Sequence, residues 1–260
     1  MIIYLSAFEP KRYYELGLRN NISSYLYSFF TVKGETLIER YNSKYNIFID
    51  SGGYSARVKG VTISVEDYAK FLIKAKGYYT VAANLDTNDV EETLKNQEYL
   101  IKNTPAKILP IYHMSDWLSS KHKHLLDDFI KDFDYIGVGG MAGVAAKKQR
   151  QRKFLDYVFS KTKDKVKVHG FGITDRKFLK RYPFYSVDST SWNAGSLYGQ
   201  CWSEDGKSFS YRDKTKMLKD NRSLGSVDNY LERSNKDLKY WSNLEKEMTR
   251  LWEKRGIIWS

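Results

Sequence analysis

Residues 108–143 read ILPIYHMSDWLSSKHKHLLDDFIKDFDYIGVGGMAG, and the reading of this stretch decides the fold. Ile108 to His113 is a short run rich in β-branched and aromatic side chains, the composition of a strand. Trp117 to Lys131 then carries apolar residues three and four apart, the period of a helix with one buried face, and Ser115 is its candidate cap. Tyr135 to Gly139 is a second strand-like run, closed by glycines. Strand, helix and strand at this spacing form one parallel unit, because parallel neighbours need a long crossover.

The same alternation extends outward in both directions. Strands are expected near Ile2 to Ser6, Ile47 to Asp50, Tyr79 to Leu85, Val166 to Phe171 and Tyr185 to Asp188, which with the two above makes seven. Helices are expected over Val65 to Lys76, Val90 to Lys102 with Asp89 as cap, and Gln149 to Lys161. Such a chain builds a mostly parallel sheet, either doubly wound or closed as a (β/α)8 barrel, and the barrel is the favoured α/β reading. Ser208 to Tyr211 is a poor eighth strand, so an incomplete or decorated barrel stays open. From Ser226 onward the text is helical, with Trp241, Leu244, Met248, Leu251 and Trp252 on one face as a surface for docking on the barrel. The expected division is a barrel over 1–205 and a helical extension over 206–260.

Composition narrows the function classes. The chain has 260 residues, 42% hydrophobic and 28% charged, which is ordinary globular usage. No window approaches a membrane span, and Met1 to Pro10 lacks the pattern of a signal peptide, so a soluble cytoplasmic protein is expected. One cysteine, Cys201, excludes an internal disulfide and any multi-thiolate metal clamp. No cofactor is called for. The net charge is +12, and Val144 to Tyr182 alone holds 13 basic and 3 acidic residues. Lys147, Lys148, Arg150, Arg152 and Lys153 are the densest part of that run. They are a solvated helix face or a track for a polyanion backbone, which makes nucleic acid the first partner to test.

In a parallel barrel the functional groups gather at the carboxyl ends of the strands. Those ends read Asp50-Ser51-Gly52-Gly53-Tyr54, Asn84-Leu85-Asp86, Tyr112-His113, Gly139-Gly140-Met141-Ala142-Gly143, His169-Gly170-Phe171-Gly172 and Asp188-Ser189-Thr190-Ser191. A single aspartate there is most often a cap or turn former, but three would converge on one mouth. Converging carboxylates are the equipment of glycosidic chemistry, one attacking the anomeric carbon while another moves a proton.

These blocks, in this order, resemble the tRNA-guanine transglycosylases, and especially their short phage-type relatives that exchange guanine in DNA. Phe48 to Tyr54 resembles the family's Asp-Ser-Gly-Gly-Phe block, Tyr135 to Gly143 its Gly-Gly-Leu-Ala-Val-Gly loop, Val168 to Ile173 its base-stacking strand, and Ser186 to Ser189 the block of its nucleophile. The likeness runs from about residue 47 to 192. It implies Asp188 as nucleophile on C1′, Asp50 as the group that moves the proton, Asp86 reading the N1–H and amine of guanine, and Ser51 and His113 among the substrate-binding residues. It further implies Gly139, Gly140 and Met141 facing O6, and Tyr54 and Phe171 sandwiching the purine. His113 departs from the family's amide at that strand end. His169 reads as a histidine satisfied by backbone, His122 and His124 as surface, and Ser189, Thr190 and Ser191 as caps or as groups orienting Asp188.

The zinc site of the tRNA enzymes cannot form with one cysteine. The chain is also shorter than they are, which favours DNA, as single strand or flipped base, with a 7-deazaguanine such as the 7-cyano form as the incoming base. The alternatives are the same exchange on tRNA, a nucleic-acid glycosidase that hydrolyses, and a noncatalytic nucleic-acid-binding barrel.

Overall fold

The computed structural model describes residues 1–141, 148–163, 165–193, 200–202, 208–210 and 230–259. In chain order the elements are β1 (Ile2–Leu5), α1 (Lys11–Arg19), β2 (Ser24–Ser28), α2 (Gly34–Arg40), β3 (Asn46–Asp50), α3 (Gly53–Val58), α4 (Val65–Lys74), β4 (Val81–Ala83), α5 (Val90–Asn103), β5 (Ile108–Leu109), β6 (Ile111–His113), α6 (Met114–Leu118), α7 (Leu125–Asp132), β7 (Tyr135–Gly139), α8 (Lys148–Thr162), β8 (Lys167–Gly170), α9 (Arg176–Arg181), β9 (Ser186–Ser189), β10 (Gln200–Trp202), β11 (Ser208–Ser210) and a long helix, α10 (Tyr230–Lys254).

Nine segments pair in the order β5-β4-β3-β2-β1-β9-β8-β7-β6, and every pairing is parallel. The two outermost segments, β5 and β6, are halves of one strand separated by Pro110, which has no N–H to offer a ladder. Leu109 accepts from Asn84 on one side while Pro110 accepts from Gly137 on the other. The sheet edges therefore meet in a single strand, and the nine segments close as an eight-stranded α/β barrel of the TIM type.

The period of two along each strand sorts side chains to the two faces. Tyr4, Leu26, Phe48, Val81, Ala83, Leu109, Ile111 and Tyr135 fill the barrel interior. Their neighbours Ile3, Leu5, Tyr25, Tyr27, Ile47, Ile49, Ala82, Tyr112, Ile136, Val138, Val168 and Val187 face outward into the layer under the helices. By the same parity Ser28, Asp50, His113, His169, Ser186 and Asp188 point inward. Burying each large apolar side chain of the outer layer contributes about 1.5–3 kcal/mol.

Helix α10 packs against β1, α9 and β10. Leu238, Trp241, Leu244, Met248 and Trp252 are buried in the outer layer, Trp252 Nε1 donates to the Leu179 carbonyl at 2.9 Å, and Arg176 pairs with Glu247. β1 and β2 meet only at Leu5 and Tyr25, and the Ile3 N–H, lacking a ladder partner there, donates instead to Glu245 Oε2 at 2.7 Å. Burial raises the pKa of Glu245, opposed by that bond.

The structure corrects the sequence reading in several places. The missing barrel strand is β2, not Ser208 to Tyr211. Residues 208–210 pair antiparallel with 200–202 in a separate hairpin, so the stretch after 206 is not wholly helical, and Tyr211 and the 205/206 boundary lie outside the described residues. Ser-Tyr-Leu-Tyr-Ser escapes a search for aliphatic runs because its outward pair is Tyr25 and Tyr27. The helix expected over Trp117 to Lys131 is two, α6 and α7, separated by turns. The start of α6 is set by Asp116, which accepts from the His113 N–H at 2.9 Å, rather than by Ser115. Asp89 caps as expected, accepting from Glu92 N–H at 2.8 Å. Tyr79 to Leu85 shortens to Val81–Ala83, and α1, α2, α3 and α9 were not foreseen.

Candidate active site

The site is assembled by the loops that leave β3, β4, β6, β8 and β9. After β3 the chain must turn at once into α3, and Gly52 makes that turn at φ +78, the left-handed region that side chains disfavour. A Cβ there would meet Phe30 Cβ at 2.5 Å and Ser28 Oγ at 2.6 Å, and one on Gly53 would meet the Asp86 carbonyl at 2.9 Å. The two glycines thus bring the loop of Asp50 against the loop of Asp86. The second loop is fixed by Asn84 Nδ2 donating to Thr93 O, Asn96 Nδ2 donating to Leu85 O, and Arg57 Nη1 donating to Asp86 O.

Three carboxylates come together at the mouth, as the sequence reading expected, and their environments drive them apart. Asp50 has its pKa pushed up to about 7 by burial and by the charges of Asp86 and Asp188, against one stabilising bond from the Gly52 N–H at 3.1 Å. Asp86 is also buried, which alone would raise it, but His113 and Arg57 outweigh that and hold it below its ordinary value. His113 Nε2 lies 3.1 Å from Asp86 Oδ2, and Arg57 Nη2 lies 3.7 Å from the same oxygen. Asp188 Oδ1 accepts from the Gly172 N–H at 2.8 Å. Around neutral pH the mouth therefore holds Asp50 poised between acid and carboxylate beside a carboxylate, Asp86, the divergence that acid–base work requires.

His113 sits between two carboxylates. Burial would lower its pKa, but Asp116 and Asp86 outweigh burial and raise it to about 9, so the ring is an imidazolium at neutral pH. Its Nδ1 is 3.7 Å from Asp116 Oδ2. Arg57 and the buried Asp116 were not singled out from the sequence. Their signal was weak: an arginine on the first helix after a glycine turn, and an acid three residues beyond a strand-end histidine.

The remaining expected residues fall as follows. Ser51 is buried, its Oγ without a hydrogen-bond partner among the described residues. Tyr54 stands 65% exposed on the first turn of α3. Phe171 is half-buried at the top of the barrel, edge-on to Phe48 at 5.9 Å. Gly139 lies beside the His113 ring, Gly140 is exposed at φ +73, and Met141 is buried with its carbonyl accepting from Gln151 Nε2 at 3.0 Å. Ser189 Oγ accepts from the Ser191 N–H at 3.0 Å and so caps the turn after β9 rather than touching Asp188. His124 is exposed, while His122 is half-buried. The expectation that His169 is satisfied by backbone is overturned: its Nδ1 lies 2.6 Å from Ser186 Oγ, and its Nε2 lies 3.4 Å from Asp188 Oδ1. Parity explains this, since a residue opposite to outward-facing Val168 must enter the barrel, where backbone groups are consumed by the ladders.

Along α8, Arg150 and Lys153 are exposed, Lys148 pairs with Asp175 at 2.7 Å, and Arg152 lies 3.8 Å from Asp156. Lys147 lies outside the described residues. The opposite face, Phe154, Leu155, Val158 and Phe159, is buried.

No protein-family model matches the sequence, and no curated protein matches it. Among the described residues, no helix is long and apolar enough to cross a membrane.

The Asp50 environment carries a stability consequence. Because its folded pKa of about 7 lies above the ordinary 3.8, the folded state binds the proton more tightly, and stability falls as pH rises from about 4 to 7. Asp50→Asn removes that loss. The variant is expected to be more stable than the parent at pH 8 by up to about 4 kcal/mol and equal to it at pH 4, as read from urea unfolding at both values. A parent more stable at pH 8 would contradict the assignment.

Proposed function

We propose that the protein is a nucleic-acid guanine transglycosylase that exchanges guanine in DNA for a 7-deazaguanine base through a glycosyl ester on Asp188. The observation that carries the reading is the meeting at one mouth of Asp50, whose pKa is pushed up to about 7, with Asp188, whose Oδ1 is anchored by the Gly172 N–H. Asp188 Oδ2 would bond to C1′ as the C1′–N9 bond breaks, the electron pair leaving on guanine and Asp50 supplying the proton that makes guanine a tolerable leaving group. In the second half Asp50, now a carboxylate, takes the proton of the incoming base as its nitrogen bonds to C1′ and Asp188 departs. Asp86, kept ionised by His113 and Arg57, supplies acceptors for the N1–H and amine of guanine. The resemblance in residue order from about 47 to 192 supports the choice of substrate.

Labelled guanine offered with DNA or with tRNA tests this directly. Label in DNA is the expected result. Label only in tRNA would move the substrate, and abasic sites without incorporation would make the protein a hydrolase.

The track for the polyanion is proposed along α8. Reversing Lys147, Lys148, Arg150, Arg152 and Lys153 to glutamate is expected to weaken DNA binding and to flatten the slope of log K against log salt by roughly 0.7–0.9 for each phosphate that is no longer neutralised. Arg150 and Lys153 should dominate, because Lys148 and Arg152 already face Asp175 and Asp156. Binding of the free base should not change. An unaltered slope would make α8 a solvated face.

A further inference from the structure

Tyr135, Ser186 and His169 form a hydrogen-bonded row across the barrel interior that the exchange reaction as written does not use. His169 is fully buried, stacked on Phe48 with centroids 4.7 Å apart and edge-on to Phe171 at 4.5 Å, so its ring cannot turn freely. Ser186 Oγ touches both Tyr135 Oη and His169 Nδ1. Two hydroxyl protons must be placed in this row. If Tyr135 donates to Ser186 and Ser186 donates to Nδ1, both protons have acceptors. In the opposite sense the tyrosine proton has none among the described residues, which costs about 1–3 kcal/mol when buried. Nδ1 is thus the acceptor, and in the neutral ring the proton sits on Nε2. That nitrogen is buried without a hydrogen-bond partner among the described residues, and Asp188 Oδ1 is 3.4 Å away, too poorly aligned to count as a bond.

We infer that His169, oriented by Ser186 and Tyr135, is the positioning residue of Asp188: it holds an unspent Nε2–H 3.4 Å from Oδ1, to be taken up there in the reacting complex, and so leaves Oδ2 as the oxygen that attacks C1′. The inference rests on Asp188 being the nucleophile. With the Gly172 N–H already on Oδ1, two donors then converge on one oxygen. When Oδ2 becomes the ester oxygen, Oδ1 is the ester carbonyl, and the same two donors stabilise the charge that returns to the carboxylate when the incoming base displaces it. Catalytic hydrogen bonds are commonly long in the free enzyme and tighten on the substrate.

Two measurements test this separately from the exchange reaction. Nitrogen-15 NMR of the whole chain at neutral pH should show His169 as the neutral Nε2–H tautomer, and Ser186→Ala should erode that preference. A Nδ1–H tautomer in the parent protein would overturn the orientation of the row. In single-turnover trapping of the glycosyl–Asp188 adduct on a guanine-containing oligonucleotide, His169→Leu should slow adduct formation about 10- to 100-fold, the range expected for a hydrogen bond to a charged group. His169→Gln, which keeps a donor, should recover part of the loss, and oligonucleotide affinity should be unchanged in both. Adduct formation by His169→Leu at the parent rate would sink the positioning role. If the parent protein itself forms no adduct, the transglycosylase reading fails while the tautomer measurement still decides the row.

Discussion

Asp188→Asn is expected to lower base exchange on the order of 10⁶-fold, the scale seen when a covalent nucleophile is removed, with folding and DNA affinity intact. The amide oxygen can still accept the Gly172 N–H, and the change is isosteric at a half-buried strand end, so the backbone of β9 has no reason to move. The variant cannot form a glycosyl ester: a neutral amide is a poor nucleophile toward C1′ and a poor leaving group from it. The measurement is incorporation of labelled guanine into DNA, run beside thermal unfolding of the same preparation. Exchange within tenfold of the parent rate would end the assignment of Asp188, whatever became of the fold.

The second large effect concerns stability and stands apart from any substrate. His113→Leu removes the imidazolium between the buried Asp86 and Asp116, leaving Asp86 with Arg57 and Asp116 with no cation among the described residues. Breaking a buried pair from one side costs about 3–5 kcal/mol. The pH dependence has a definite sign. The His113 pKa is raised from its ordinary 6.5 to about 9, so its contribution is fully present below 6.5 and is lost as pH rises through 9. The Asp86 pKa is lowered, so its contribution is present above 3.8 and is lost as pH falls through its folded value. The stability difference between parent and variant should therefore be widest between about pH 4 and 6.5 and narrow toward pH 9. Urea unfolding across that range checks it, and a difference independent of pH would show that the histidine contributes packing alone.

The frame of the barrel was legible because strands buried on both faces carry unmistakable apolar and β-branched runs, and because Asp50, Asp86 and Asp188 stand at or just beyond the carboxyl ends of three of them. β2 was not legible, since its outward face is tyrosine and its inward face ends in serine, a pattern shared with turns. The electrostatic design was hidden for a different reason. Whether Asp50 is an acid or a carboxylate depends on which groups other loops bring within reach, and Arg57, Asp116 and His169 have no spacing signature relating them to it. His169 is the clearest case: its neighbour in sequence, Gly170, says turn, while its parity within β8 places it in the barrel interior, against the candidate nucleophile.

The seam between β1 and β9 has a consequence for how the chain is made. Ile2 pairs with Ser186, and the Ile3 N–H is completed by Glu245, 242 residues further along. β1 is thus completed on this side only by partners far along the chain. Contacts of such sequence separation slow folding and prolong the exposure of unpaired strands. Closure of this seam is therefore expected to be a late event in folding, after α10 and β9 are in place.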